Sequence, residues 1–208
     1  MKFRLARATR ATLAKAALAL YRTRFIGGER VPHGGAVLAG NHVSYLDPVL
    51  LWCGAPRPVR FMAKSELFSA PVIGYFLPRL WSFPVRRGEP DRAAITTATA
   101  HLTQGELVGI FPEGTRQRSG DDLGEANEGV AFIAIRAGVP VVPVGIAGTE
   151  KAMPDGTRIP RFPRVTFYYG DPIDPASFTE GGRKERVKAM TGAIMEAIAE
   201  ARSRAREM

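Results

Sequence analysis

Two rhythms of apolar residues run through the chain. Short aliphatic and β-branched runs at residues 36–39, 59–63, 82–85, 107–111, 139–145 and 164–169 predict strands. Helical spacing predicts helices over 48–53, 91–103, 126–137 and 183–204. The last places Val187, Met190, Ile194, Ile198 and Ala201 on one stripe. Strands alternating with helices predict an α/β fold, a mixed central sheet flanked by helices. No repeat, low-complexity tract or linker divides the chain, and Gly181-Gly182 with Pro172 and Pro175 marks the loop before the terminal helix.

The N-terminus carries a different pattern. At about 100° per residue, Leu5, Leu13, Ala16 and Leu20 share one sector, with Arg4, Arg7, Lys15 and Arg22 on the other side. This predicts a basic amphipathic helix over residues 1–26, followed by one domain over 27–208. Residues 1–24 hold seven lysines and arginines and no acid, so they account for seven of the chain's nine net positive charges. Such an arm fits an anionic membrane surface. With only Phe3 and Tyr21 as aromatics it lacks a stacking platform, so nucleic acid is not expected as a partner. Basic residues recur through Lys15, which is unlike a secretory signal.

No stretch is apolar for long enough to predict a membrane-spanning helix. The nearest, residues 67–84, is interrupted by Arg79 and by Pro71, Pro78 and Pro84. It reads either as core or as an apolar surface or tunnel wall for an acyl chain. The 208 residues suffice for one substantial core, and the lone Cys53, after Leu50-Leu51-Trp52, reads as a buried inert thiol suited to a reducing cytosol.

Two short segments carry chemistry. Asn41-His42-Val43-Ser44-Tyr45-Leu46-Asp47 follows a predicted strand and sets a histidine five residues before a carboxylate. A neutral imidazole can take the proton of an attacking alcohol, and a carboxylate on its other nitrogen fixes the tautomer and supports the imidazolium. Asp47-Pro48 also reads as a helix N-cap followed by proline at the first helical position. The second segment, Phe111-Pro112-Glu113-Gly114-Thr115-Arg116, lies about 70 residues later and also follows a predicted strand. Gly114 lets backbone approach a ligand, Thr115 adds a hydroxyl, and Arg116 offers a planar fork for phosphate. Glu113 repels phosphate and so either orients the loop or binds a glycerol hydroxyl. Lys64 and Arg87 end two further predicted strands, and open α/β sheets bind ligands beyond the carboxyl ends of their strands. There is no G-x-S-x-G elbow and no H-E-x-x-H spacing, so neither a serine nucleophile nor a metal is expected.

In order, these blocks resemble those of the lysophosphatidic acid acyltransferase family over roughly residues 35–175. Residues 41–47 are similar to its H-x4-D block. Phe83-Pro84-Val85-Arg86-Arg87-Gly88 is similar to the second block, Phe111–Arg116 to the third and Val142-Pro143-Val144 to the fourth. Phe61-Met62-Ala63-Lys64-Ser65-Glu66-Leu67 and Tyr169-Gly170-Asp171-Pro172-Ile173 are family-like as well. Three residues depart from the pattern: Asn127-Glu128 precede Gly129 where lysines are common, and Arg86 stands where an acid is common.

The resemblance implies direct acyl transfer from acyl-CoA or acyl-carrier protein to a lipid hydroxyl, with neither cofactor nor metal. It implies His42 and Asp47 as catalytic residues and Lys64, Arg87, Glu113, Gly114, Thr115 and Arg116 as substrate-binding residues. The expected acceptor is lysophosphatidic acid, giving phosphatidic acid in phospholipid biosynthesis. Glycerol-3-phosphate, another lysophospholipid or a lyso-aminolipid also fits the cradle. The expected location is the cytoplasmic face of the membrane, held peripherally. The rival readings are a non-catalytic basic lipid-binding module and a phosphoesterase using His42, Asp47 and Glu113.

Overall fold

The computed structural model describes residues 15–16, 19–71, 73–79, 81–86, 91–114, 124, 126–152 and 161–208. Among the described residues seven strands are found: β1 (Arg24–Ile26), β2 (Ala36–Gly40), β3 (Val59–Lys64), β4 (Phe83–Val85), β5 (Leu107–Ile110), β6 (Val141–Ala147) and β7 (Thr166–Tyr169). Among the described residues the helices are α1 (Leu46–Gly54), α2 (Ile73–Phe76), α3 (Arg92–Thr103), α4 (Gly129–Ala137) and α5 (Arg183–Glu207), with short 3-10 turns between elements.

The strands form one sheet in the order β1-β7-β6-β2-β5-β3-β4. The five from β6 to β4 run parallel, and β7 joins β6 antiparallel, so the sheet is mixed as expected. β2 is central and buried on both faces. Its residues alternate between two cores: Ala36 and Leu38 pack with α1, and Val37 and Ala39 pack beneath α3, α4 and α5. The predicted stripe of α5 is buried as read, and Cys53 is a buried thiol outside any disulfide.

Two features anchor the helices to the sheet. Asp91 caps α3 by accepting from the backbone N–H groups of Ala93 and Ala94, and its other oxygen accepts from Arg86 N beyond β4. Gly145 on β6 admits the backbone of α5 directly: a Cβ there would lie 2.1 Å from the carbonyl carbon of Ala201.

Two stretches differ from the expectations. Residues 24–26, assigned to the N-terminal helix, form β1, paired in parallel with Thr166–Tyr168 of β7. The chain is helical at Lys15–Ala16 and at 19–21, where Tyr21 is buried and Leu20 half exposed. The predicted partners Leu5, Leu13, Arg4 and Arg7 lie outside the described residues. Residues 67–84 hold a 3-10 turn, the single turn α2 and the start of β4, with Ile73, Tyr75 and Phe76 each about half exposed. No described helix is long and apolar enough to cross a membrane.

Candidate active site

Because β2, β3, β4, β5 and β6 are parallel, their carboxyl ends at Gly40, Lys64, Val85, Ile110 and Ala147 share one edge. The turn after β2 carries His42. It is tied down by Asn41, whose side chain donates to Ile146 O at 3.0 Å and accepts from Ile146 N at 2.7 Å. Asn41 thus extends the sheet ladder by a side chain and clamps the His42 turn to β6.

His42 Nδ1 donates to Asp47 Oδ2 at 2.9 Å, with Asp47 fully buried. Asp47 also accepts from the N–H groups of Val43 and Ser44, at 2.8 and 2.7 Å, and from Thr149 Oγ1 at 2.6 Å. Four donors compensate the cost of burying this charge. The helix-cap reading of Asp47 does not hold. α1 starts at Leu46, and the carboxylate turns back to the preceding loop. The imidazole face stacks on Phe111, ring centroids 4.3 Å apart and 19° from parallel, with Phe61 behind it. With Nδ1 committed to Asp47, Nε2 is the ring atom left to receive a proton.

Phe111-Pro112-Glu113-Gly114 forms a turn closed by Gly114 N donating to Phe111 O at 3.1 Å, and Gly114 has φ +63°. Glycine suits this left-handed position. Glu113 is buried, and its Oε1 accepts from His42 N at 3.2 Å. It therefore ties its own turn to the histidine turn. Burial pushes its carboxyl up from 4.5 to about 7; the His42 N–H and the buried Arg202 of α5 oppose the rise, and the Asp47 charge adds to it.

A raised carboxyl favours the protonated form in the fold. The cost of ionising it is absent below about 4.5, grows as pH rises and is complete above about 7. Glu113→Gln should therefore gain stability relative to the parent between pH values of about 5 and 8, read as the difference in urea midpoints. A difference that stays constant across that range contradicts the burial argument.

Lys64 reaches the expected edge, half exposed, and pairs with Glu66 at 2.9 Å, which holds the Glu66 carboxyl down at about 2. Arg87, Thr115 and Arg116 lie outside the described residues. Their neighbours Arg86 and Gly114 both line a cavity of about 800 Å³ between the sheet edge, α3 and α4. Its apolar wall includes Met62, Ile95, Ile110, Phe111, Phe132 and Ile133, and Glu113 stands in it. None of the described residues of 67–84 lines this cavity.

Asn41, Phe111, Thr149 and Arg202 were not singled out as site residues from the sequence. Asn41 and Phe111 stand inside the quoted motifs, and their neighbours were the signal. Thr149 and Arg202 carry no local pattern.

A histidine–aspartate pair at the carboxyl edge of a parallel sheet, joined through Glu113 to the wall of an apolar cavity, is equipped for proton transfer beside an apolar ligand. Residues 22–147 match the family model described as Acyltransferase, and the chain belongs to that family: it is an acyltransferase. It is 35% identical over 167 residues to a 1-acyl-sn-glycerol-3-phosphate acyltransferase of Bacillus subtilis, a match spanning 80% of each chain. It is 34% identical over 150 residues to a lyso-ornithine lipid O-acyltransferase of Pseudomonas aeruginosa, covering 72% of this chain and 57% of that one. The crystal structure of the 1-acyl-sn-glycerophosphate acyltransferase PlsC from Thermotoga maritima superposes with a TM-score of 0.72 at 27% identity, over 93% of this chain and 78% of that one.

Proposed function

We propose that the protein acylates the free hydroxyl of lysophosphatidic acid, using acyl-CoA or acyl-carrier protein and yielding phosphatidic acid for phospholipid synthesis. The observation that carries the mechanism is the 2.9 Å contact between His42 Nδ1 and the buried Asp47. His42 Nε2 takes the proton of the acceptor hydroxyl as its oxygen attacks the thioester carbon. The C–O bond forms, the tetrahedral intermediate collapses, the C–S bond breaks, and the imidazolium returns its proton to the departing thiolate. Asp47 supports the imidazolium throughout. No cofactor or metal takes part. Arg116, Arg87 and Lys64 hold the acceptor phosphate, with Thr115 as a further donor. The apolar cavity of about 800 Å³ is of a size that takes small lipids, and one acyl chain lies in it.

The likeness to a lyso-ornithine lipid acyltransferase favours a second reading, an acceptor without phosphate. A panel of acceptors with one acyl-CoA, followed by free-thiol release and product mass, separates the two. Lysophosphatidate is expected to react fastest. A preference for lyso-aminolipids overturns the acceptor assignment, and no thiol release with any acceptor overturns the activity.

The enzyme works at the cytoplasmic face of the membrane, bound peripherally through the basic N-terminal segment. At about 1 kcal/mol per cation near an anionic surface, seven cations contribute several kcal/mol that salt screens. The exposed Ile73, Tyr75 and Phe76, with Arg79 over the Tyr75 ring, supply an amphipathic patch that resists salt. Tyr21 is core and Arg24 is in β1, so deleting the whole segment would damage the sheet. Replacing Arg4, Arg7, Arg10 and Lys15 by glutamine avoids this. Co-sedimentation with anionic vesicles should fall for this variant at low salt and match the parent at high salt. Equal binding at low salt removes the segment as the dock.

A further inference from the structure

The sequence motifs supply a base and its carboxylate and stop there. A third side chain completes the pair from the far end of the fold. Thr149 follows β6 in a 3-10 turn, is fully buried, and places Oγ1 2.6 Å from Asp47 Oδ1. An ionised carboxylate has no hydrogen to give, so the hydroxyl donates. The other carboxylate oxygen, Oδ2, receives His42 Nδ1 and the two loop N–H groups. The two oxygens thus have separate duties, and rotation of the carboxylate would exchange them. The Thr149 bond opposes that rotation.

The backbone around Thr149 is fixed independently of Asp47. Gly148 adopts φ +97°, and a Cβ there would meet Arg164 O at 2.1 Å. Gly148 N donates to Glu150 Oε2, and Ala152 N closes the turn onto Thr149 O. Upstream, the paired bonds between Asn41 and Ile146 lock the end of β6 to the His42 turn. Donor and acceptor are therefore delivered by two anchored elements, the geometry expected of a preorganised supporting residue.

We infer that Thr149 is a positioning residue for the reaction: its hydroxyl holds the Asp47 carboxylate in the one orientation that directs Oδ2 at His42 Nδ1. The inference rests on the reading of His42 as the base. Steady-state kinetics of purified full-length Thr149→Val, Thr149→Ala and Thr149→Ser test it, with His42→Ala alongside and with proton NMR of the His42 Nδ1–H. Alanine adds no bulk against the carboxylate and stands in if valine disturbs folding.

The two hydroxyl-free variants should lose about tenfold or more in kcat, while KM stays within about twofold. Serine restores kcat, and the Nδ1–H resonance shifts in the variants that lack the hydroxyl and not in Thr149→Ser. A folded hydroxyl-free variant with parental kcat and an unmoved resonance overturns the inference. So does a Thr149→Ser enzyme as slow as Thr149→Val, which makes the residue a packing element only. If His42→Ala itself turns over normally, the base reading has failed. If His42→Ala is inactive and Thr149→Ala is normal, only the role of Thr149 is lost.

Discussion

His42→Ala should lower kcat by about 10²–10⁴-fold or more, with little change in melting temperature. The imidazole makes one side-chain hydrogen bond, to Asp47, and stacks on Phe111. Its removal takes away the proton acceptor while the turn stays held by Asn41 and by Glu113 at the His42 N–H. Asp47→Asn should be comparably slow, because it removes the charge that supports the imidazolium. It should also destabilise the fold by about 1–3 kcal/mol, since an amide presents two N–H donors to a pocket built only from donors. Thiol release and thermal melting of the purified variants separate these effects. Near-normal turnover by folded His42→Ala would sink the mechanism.

The second large effect is expected at the phosphate. Arg116→Lys replaces a planar two-pronged donor by a point charge and should raise KM for phosphate-bearing acceptors about tenfold or more. Lys64→Ala should act in the same direction but less, because Lys64 is half exposed and already paired with Glu66. Phosphate-free acceptors should be little affected by either change. An equal loss with both acceptor classes instead assigns these residues to the thioester donor or to the loop's structure.

What the sequence revealed depended on the range over which each interaction operates. His42 and Asp47 are five residues apart, so their pairing is encoded in one turn and was legible. Convergence of Lys64, the His42 turn and the Glu113 turn was legible because strands joined through helices run parallel and end at one edge. Thr149 lies 102 residues beyond Asp47, and a threonine after a strand has no pattern of its own. Arg202 was hidden likewise, on a helix read only for its apolar stripe. β1 was missed because Arg24–Ile26 continues a basic helical pattern and becomes a strand only through β7, a tertiary partner. Residues 67–84 read from hydropathy either as core or as an apolar surface or tunnel wall. Ile73, Tyr75 and Phe76 are about half exposed while Phe83 is buried, and the apolar cavity forms between elements that each look like ordinary core.

The seat of α5 on Gly145 bears on the order in which the supports of the His42 turn come together. His42 and Asp47 leave the ribosome early, yet the residues that hold them, Ile146 and Thr149, belong to β6 and the turn after it. β6 is in turn covered by α5, whose backbone meets it at Ala201. Contacts of such sequence separation form late. The His42 turn therefore gains its clamps at Ile146 and Thr149 only once β6 has been made, and their seat is complete only when α5 packs on it.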